Sequence, residues 1–262
     1  MLRLALFVAL LGVPAGAAAG TQTVSVPLRG RTIALTVYQP SGVPKGTIVM
    51  GSGDVGWVGL AVSMAQDLSA RGFVVAGVNV RQYLAAFTSG KAHLTTTDVP
   101  GDYRAMADAL RQQHLLPSPV ILSGVSEGAA LAALAASDAR NHDWVDGVNT
   151  MGLPEVAELA WRWSDVAAWI TKRDANEPSF ETHAIVGAVS PVPLAMIQST
   201  KDEYVSVEDY RRLLQSAREP KEQVLIDAGN HRFTDRQPQL RAAYEAALGW
   251  VLAARAAERA AR

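Results

Sequence analysis

Short apolar runs, each closing on glycine or a polar turn, set the rhythm of this chain. Residues 47–50, 73–80 and 119–123 are rich in Val and Ile, the pattern of strands covered on both faces, and 145–151 reads as another short strand. Two later runs, 193–200 and 223–227, repeat it. Helical spacing fills the intervals. Residues 58–70 put Val62, Ala65 and Leu68 on one face, and 98–114 carry Pro100 in the first turn. A small-residue helix starts near Glu127, Ser206 is placed to cap a helix over 207–217, and 238–258 pack through Leu240, Tyr244, Leu248 and Val251. Ahead of these, 23–28 and 32–38 read as a hairpin about Arg29-Gly30-Arg31, its second arm alternating imperfectly like an antiparallel edge. Residues 81–87 are expected to be a loop lining a pocket. Past the hairpin the order is strand, helix, strand, helix, which predicts an α/β fold with a mostly parallel central sheet and helices on both faces.

One interval is of another kind. From 155 to 172 a helix is expected, with Leu159, Trp163, Val166 and Ile170 on one face and Arg162, Asp165 and Lys172 elsewhere. Three of the six Trp fall between 161 and 169. A buried indole needs a partner for its N–H, so two readings stand. The segment 154–180 forms a small helical cap with Trp161 or Trp169 facing a substrate, or the indoles pack a helix onto the sheet.

Composition narrows the field. The 262 residues are 49% hydrophobic and 19% charged with a net charge of −1, which fits one domain with a sizeable core and gives nucleic acid no basic surface to bind. Residues 1–19 stand apart. Arg3 is followed by an apolar stretch over 4–13, breakers at Pro14 and Gly16, and the small residues Ala17-Ala18-Ala19. This is the layout of a secretory signal peptide cut after Ala19, leaving 20–262 as the mature domain in the periplasm or outside the cell. An uncleaved anchor is the competing reading, although the run is short for a bilayer. With no Cys the chain has no disulfide, no thiol nucleophile and no cysteine lipid anchor.

The chemistry concentrates at 120–131, Val-Ile-Leu-Ser-Gly-Val-Ser-Glu-Gly-Ala-Ala-Leu. A strand runs into Gly-x-Ser-x-Gly and a helix follows at once, the context of a nucleophile elbow with Ser126 at its tip. Gly124 and Gly128 leave room for the sharp turn, and the helix aims its free N–H groups at the chemistry. The plain alternative is a tight strand–helix turn with an incidental serine. The loop Gly51-Ser52-Gly53-Asp54-Val55-Gly56-Trp57 offers backbone N–H groups: that of Asp54, or of Gly53, is expected to join that of Glu127 in an oxyanion hole. An ordinary glycine-rich connection would look the same, while a phosphate-cradling loop lacks its Gly-Lys-Ser/Thr ending. Asp202, with Glu203 in reserve, follows a strand end where an orienting carboxylate would stand, though a turn aspartate could also sit there. Of five His, only His231 lies directly past a predicted strand, in a Gly-Asn turn. The order Ser126, Asp202, His231 is that of the α/β hydrolases. Trp57, Tyr83, Trp161 and Trp169 are the candidates for touching substrate.

Gly124-Val125-Ser126-Glu127-Gly128, Lys201-Asp202-Glu203-Tyr204-Val205 and Asn230-His231 together resemble the α/β-hydrolase superfamily over essentially the whole mature chain. Within it, Ser52-Gly53-Asp54-Val55-Gly56-Trp57 is similar to the Ser-Gly-Asp-Gly-Gly-Trp segment of the bacterial VirJ/AcvB virulence proteins, with Val55 in place of a Gly and Val-Ser-Glu at the elbow where that family has Tyr-Ser-Phe. The resemblance implies an exported serine hydrolase working through an acyl-enzyme on an ester, a small molecule or a lipid such as lysyl-phosphatidylglycerol, with contact to a membrane surface and no metal or organic cofactor. It leaves open a non-catalytic binding protein on the same fold, a peptidase or thioesterase, and the oligomeric state.

Overall fold

The computed structural model describes residues 20–162 and 177–261. Residues 1–19, the expected signal peptide, lie outside it, as does Trp169. Among the described residues no helix is long and apolar enough to cross a membrane.

β1 (Gly20–Leu28) and β2 (Arg31–Gln39) form the expected hairpin. Its two turn residues, Arg29 and Gly30, both have positive φ (44° and 79°), the geometry that lets a two-residue loop follow the strands' twist. Val24, Val26, Leu28, Ile33, Leu35 and Val37 are buried on one side while most of their Thr, Ser and Ala neighbours are exposed, so this edge of the sheet is covered on one face only. β3 (Thr47–Gly51), β4 (Val74–Val78), β5 (Val120–Val125), β6 (Gly147–Met151), β9 (Leu194–Ser199) and, at the far edge, β10 (Lys221–Ile226) complete an eight-stranded sheet in the order β1-β2-β4-β3-β5-β6-β9-β10. β2 runs antiparallel to β4, and every pairing from β4 to β10 is parallel.

Helices cover both faces. α1 (Leu60–Ala70) and the long C-terminal α7 (Gln237–Ala260) bury Met64, Leu68, Leu240, Tyr244 and Val251 against Ile48, Met50, Ile121 and Ile197. On the other face α3 (Asp98–Gln112), α4 (Glu127–Ser137) and α6 (Val207–Ser216) pack onto Val49, Leu122, Val148 and Met196. Alternate residues of one strand thus feed opposite cores, which is why these runs show no polar alternation.

Two expectations fail. Residues 81–87 are not a loop: they belong to α2 (Val80–Phe87), whose first turn is capped by the Asn79 side chain accepting the Gln82 N–H at 3.2 Å. Nor does a helix begin at 155. Residues 156–158 are β7 (Val156–Glu158), paired antiparallel with β8 (Ser179–Glu181), just ahead of a single helical turn, α5 (Thr182–Ile185). Residues 159–162 are irregular. Leu159 is buried, donates its N–H to the Pro178 carbonyl at 2.7 Å and accepts the Leu94 N–H at 3.0 Å. Its apolar side chain serves this ribbon, and its match to a helical face is coincidental. The remainder of the proposed cap helix lies outside the described residues.

Candidate active site

Ser126 stands between β5 and α4 with φ 53° and ψ −121°, a conformation that a non-glycine residue adopts only when its surroundings impose it. Those surroundings are glycines. A Cβ on Gly124 would fall on the Gly128 backbone, and one on Gly51 would lie 2.7 Å from the Gly128 Cα. The end of β3, the end of β5 and the first turn of α4 therefore meet backbone to backbone, which needs Gly51 as well as the two glycines of Gly-x-Ser-x-Gly. Beneath the elbow, Tyr244 donates from its hydroxyl to Ser123 Oγ (2.9 Å), and Ser123 Oγ donates to the Asn149 carbonyl (2.6 Å). Asn149 in turn donates to the Tyr244 carbonyl at 3.2 Å. This buried ring ties α7 to β5 and β6.

The loop after β3 is fixed beside the serine. Gly53 presents its Cα face to Ser126: a Cβ there would meet the Ser126 Cβ at 3.7 Å. The Gly53 carbonyl accepts both the Ser52 hydroxyl (2.9 Å) and the Gly56 N–H (3.0 Å), and Ser52 Oγ accepts the Val80 N–H at 3.1 Å. In a trans peptide C=O and N–H point oppositely, so the Asp54 N–H is turned away from those partners. The Glu127 N–H belongs to the first residue of α4 and has no acceptor within the helix. Ser52, fully buried, was not singled out in the sequence; a serine at a strand end carries no distinguishing signal.

Asp202 and His231 are brought into contact. His231 Nδ1 lies 2.6 Å from Asp202 Oδ2, with the carboxylate side chain fully buried. The other carboxylate oxygen accepts the N–H groups of Tyr204 (2.9 Å) and Val205 (3.0 Å), so the turn after β9 holds the acid in one orientation. Glu203, the reserve, does a different job: its carboxylate accepts the His231 backbone N–H at 2.7 Å. Tyr204 packs edge-on against the imidazole, ring centres 5.3 Å apart. The link to Ser126 runs through β6. Ser126 donates its N–H to the Met151 carbonyl at 2.9 Å, and the next residue, Gly152, lies under the His231 ring. His231 Nε2 is buried with no hydrogen-bond partner among the described residues. Gly152 has φ +61° and is a second residue that the sequence did not flag, since nothing marks a lone glycine after a strand.

Of the aromatic candidates, Trp57, Tyr83 and Trp161 are each engaged by another part of the fold, and Trp169 lies outside the described residues. Trp57 donates from its indole to the Tyr38 hydroxyl (3.2 Å) and covers Gly77 of β4, where a Cβ would run into its ring. It is the cover of a strand. Tyr83 is fully buried and donates its hydroxyl to Asp102 (2.7 Å), which also accepts Arg29 of the hairpin turn at 3.0 and 2.7 Å. Because 81–87 are helical, Tyr83 points into the core. Trp161 is half-buried under the Arg81 guanidinium, 4.4 Å from its ring centre, and donates its backbone N–H to Thr88. Acids collect near the nucleophile instead. The Glu127 carboxyl is pushed well above the usual range, first by burial and then by Glu158 and Asp54. Among the described residues no group of three or more acidic or His side chains is arranged to hold a metal ion.

A family model described as a bacterial virulence protein (VirJ) matches residues 46–244. No curated protein matches in sequence. Solved structures match throughout the fold. The α/β hydrolase GrgF from Penicillium aligns with TM-score 0.66 at 13% identity, covering 89% of this chain and 99% of its own. The esterase domain of a Rhodothermus marinus protein aligns with TM-score 0.58 at 19% identity, covering 84% and 92%. XC6422 from Xanthomonas campestris, described as an α/β serine hydrolase without a lid, aligns with TM-score 0.56 at 18% identity, covering 88% and 93%. The fold is the α/β-hydrolase fold.

Proposed function

Starting from a chain that belongs to the VirJ family of bacterial virulence proteins, we propose that it is an exported serine hydrolase that cleaves an ester through Ser126, His231 and Asp202. The observation that carries this reading is the strained backbone of Ser126 at the elbow, its N–H held by Met151, while the imidazole that Asp202 grips at 2.6 Å is seated on the next residue, Gly152. With Nδ1–H donating to Asp202, His231 presents Nε2 as an acceptor. Nε2 takes the Ser126 proton as Oγ attacks the ester carbonyl. The oxygen that becomes negative is received by the N–H groups of Glu127 and Asp54, with Gly53 lining the same spot. His231 passes the proton to the leaving alcohol, a water enters with the same base, and the acid is released with Ser126 restored.

The substrate class that fits the family is a lipid or aminoacyl-lipid ester met at a membrane surface. Export rests on the leader-like residues 1–19. The deciding experiment is labelling of the folded protein with a fluorophosphonate probe. An adduct on Ser126, lost in Ser126→Ala and in His231→Ala, supports the reading. No adduct makes the protein a non-catalytic binder on the same fold. A panel of esters, thioesters and peptides with Ser126→Ala as control then separates esterase from thioesterase and peptidase.

A further inference from the structure

The two edges of the eight-stranded sheet are finished differently. β10 opens on Pro220-Lys221-Glu222, and a proline with two charges at the start of a strand discourages a further strand from joining it. β1 is nine residues long, pairs with β2 in unbroken register and carries no charged residue. The two-residue turn Arg29-Gly30 decides which of its backbone groups are already engaged. Leu28 and Arg31 flank that turn and exchange both of their hydrogen bonds, and by alternation Val26, Val24, Gln22 and Gly20 do the same with their partners on β2. Pro27, Ser25, Thr23 and Thr21 therefore turn their backbone groups away from the sheet, and their side chains are exposed. Among the described residues no backbone hydrogen bond reaches these outward groups from outside the hairpin.

The outward set is symmetric. Thr21, Thr23 and Ser25 each offer an N–H and a C=O, while Pro27 has no N–H to give. A second β1 laid antiparallel, with a two-fold axis at Thr23, sets Thr23 against its own image and Thr21 against Ser25. Every outward N–H and C=O of these three residues is then paired, and each Pro27 falls beyond the partner's Gly20. Moving the axis to Ser25 would instead set Pro27 against Thr23 and leave carbonyls of Thr23 without a donor. The side chains agree with the first register: Thr faces Thr and Thr faces Ser, pairs that stabilise antiparallel strands, and no charge meets its own image. Arg29 is six residues from the axis, about 20 Å at the antiparallel rise, so the two basic turns lie far apart at opposite ends. We propose that this protein forms a two-fold dimer through β1, with Thr23 on the axis and one sheet continuous across it. Such a self-complementary patch is what a closed dimer requires. Ser126 follows β5, and three strands separate β5 from β1, so both nucleophiles stay clear of the interface. The dimer stands apart from the hydrolase reading and does not depend on it.

Sedimentation of the purified protein over a dilution series is expected to show dimer giving way to monomer. Thr23→Pro removes only an outward N–H, as Pro27 already does in the same strand, so the ladder to β2 survives. It is expected to weaken the dimer by more than about tenfold, because the two-fold deletes two hydrogen bonds at once, and to leave fluorophosphonate labelling unchanged. The chain has no cysteine, so one introduced thiol reports the register. Opposed residues of a hydrogen-bonded pair have Cα atoms about 5.5 Å apart, within reach of a disulfide. Thr23→Cys is expected to cross-link into a dimer under mild oxidation, whereas Thr21→Cys, whose image lies about 14 Å away, is expected to stay monomeric on a denaturing gel. The proposal is overturned if the wild type is monomeric throughout the series, which leaves the edge to a different partner, or if Thr23→Pro associates like the wild type, which moves the contact to another surface. It is equally overturned if Thr21→Cys cross-links as readily as Thr23→Cys, and that comparison decides alone should Thr23→Pro fail to fold. A protein that takes no fluorophosphonate sinks the hydrolase reading and leaves each of these outcomes as it is.

Discussion

The imidazole of His231 rests on Gly152, so closely that a Cβ on that glycine would lie 2.7 Å from the ring's Cε1. Gly152 also has φ +61°, so alanine there meets strain and a ring together. Gly152→Ala is predicted to tilt the imidazole and lower kcat/KM for a p-nitrophenyl ester by about ten- to a hundredfold. The backbone strain should destabilise the protein by only about 1–2 kcal/mol, leaving it folded at room temperature. An unchanged rate would show that the glycine does not place the ring.

The two acids of the Asp202-Glu203 pair should separate cleanly. Asp202→Asn keeps the shape but reverses the hydrogen bond to Nδ1, and the rate is expected to drop about a thousand- to ten-thousandfold. Glu203→Gln retains an oxygen for the His231 N–H and should cost less than about tenfold. Equal losses from both would contradict the assignment of Asp202 as the orienting acid.

Beneath the elbow, Tyr244→Phe removes one donor from a buried ring of hydrogen bonds while Ser123 keeps its bond to Asn149. A loss of about 1 kcal/mol in a denaturant titration is expected. Gly128→Ala, by contrast, drives a methyl into the backbone of Gly51 and Ser52, and is expected to cost more than about 4 kcal/mol or abolish folding.

Glu127 also makes a stability prediction separate from catalysis. Its carboxyl is raised above the ordinary 4.5 by folding, so its contribution is fully present below that pH and declines as pH rises through the folded value. Glu127→Gln removes the term. The melting temperature of the variant relative to wild type should therefore increase with pH above 4.5, and a difference that is flat with pH would contradict the raised value.

The parallel strands, the order of the three polar residues and the elbow were legible because each rests on local rules: an unbroken Val/Ile run, a glycine spacing, a turn after a strand. What was not legible depends on distant partners. Tyr83 and Trp57 look like pocket residues until Asp102 and Gly77 are known to face them. The run through Leu159 satisfies a helical period, yet the backbone there pairs with Pro178 and Leu94. Gly152 and Ser52 owe their roles to neighbours brought by β6, β10 and the start of α2, and a single glycine or serine announces nothing. The raised Glu127 carboxyl likewise follows from desolvation first, and from Glu158 and Asp54 arriving from distant parts of the chain.

The ribbon of β7 and β8 has a practical meaning for engineering. Glu158 pairs with Ser179, and Leu159 is pinned to Pro178, so the chain leaves and re-enters the domain through one narrow neck. Ala160 is buried and Trp161 is held by Thr88 and Arg81, so 160–162 belong to the scaffold, and a segment exchanged between the two arms of the ribbon should be joined beyond them, at 163–176.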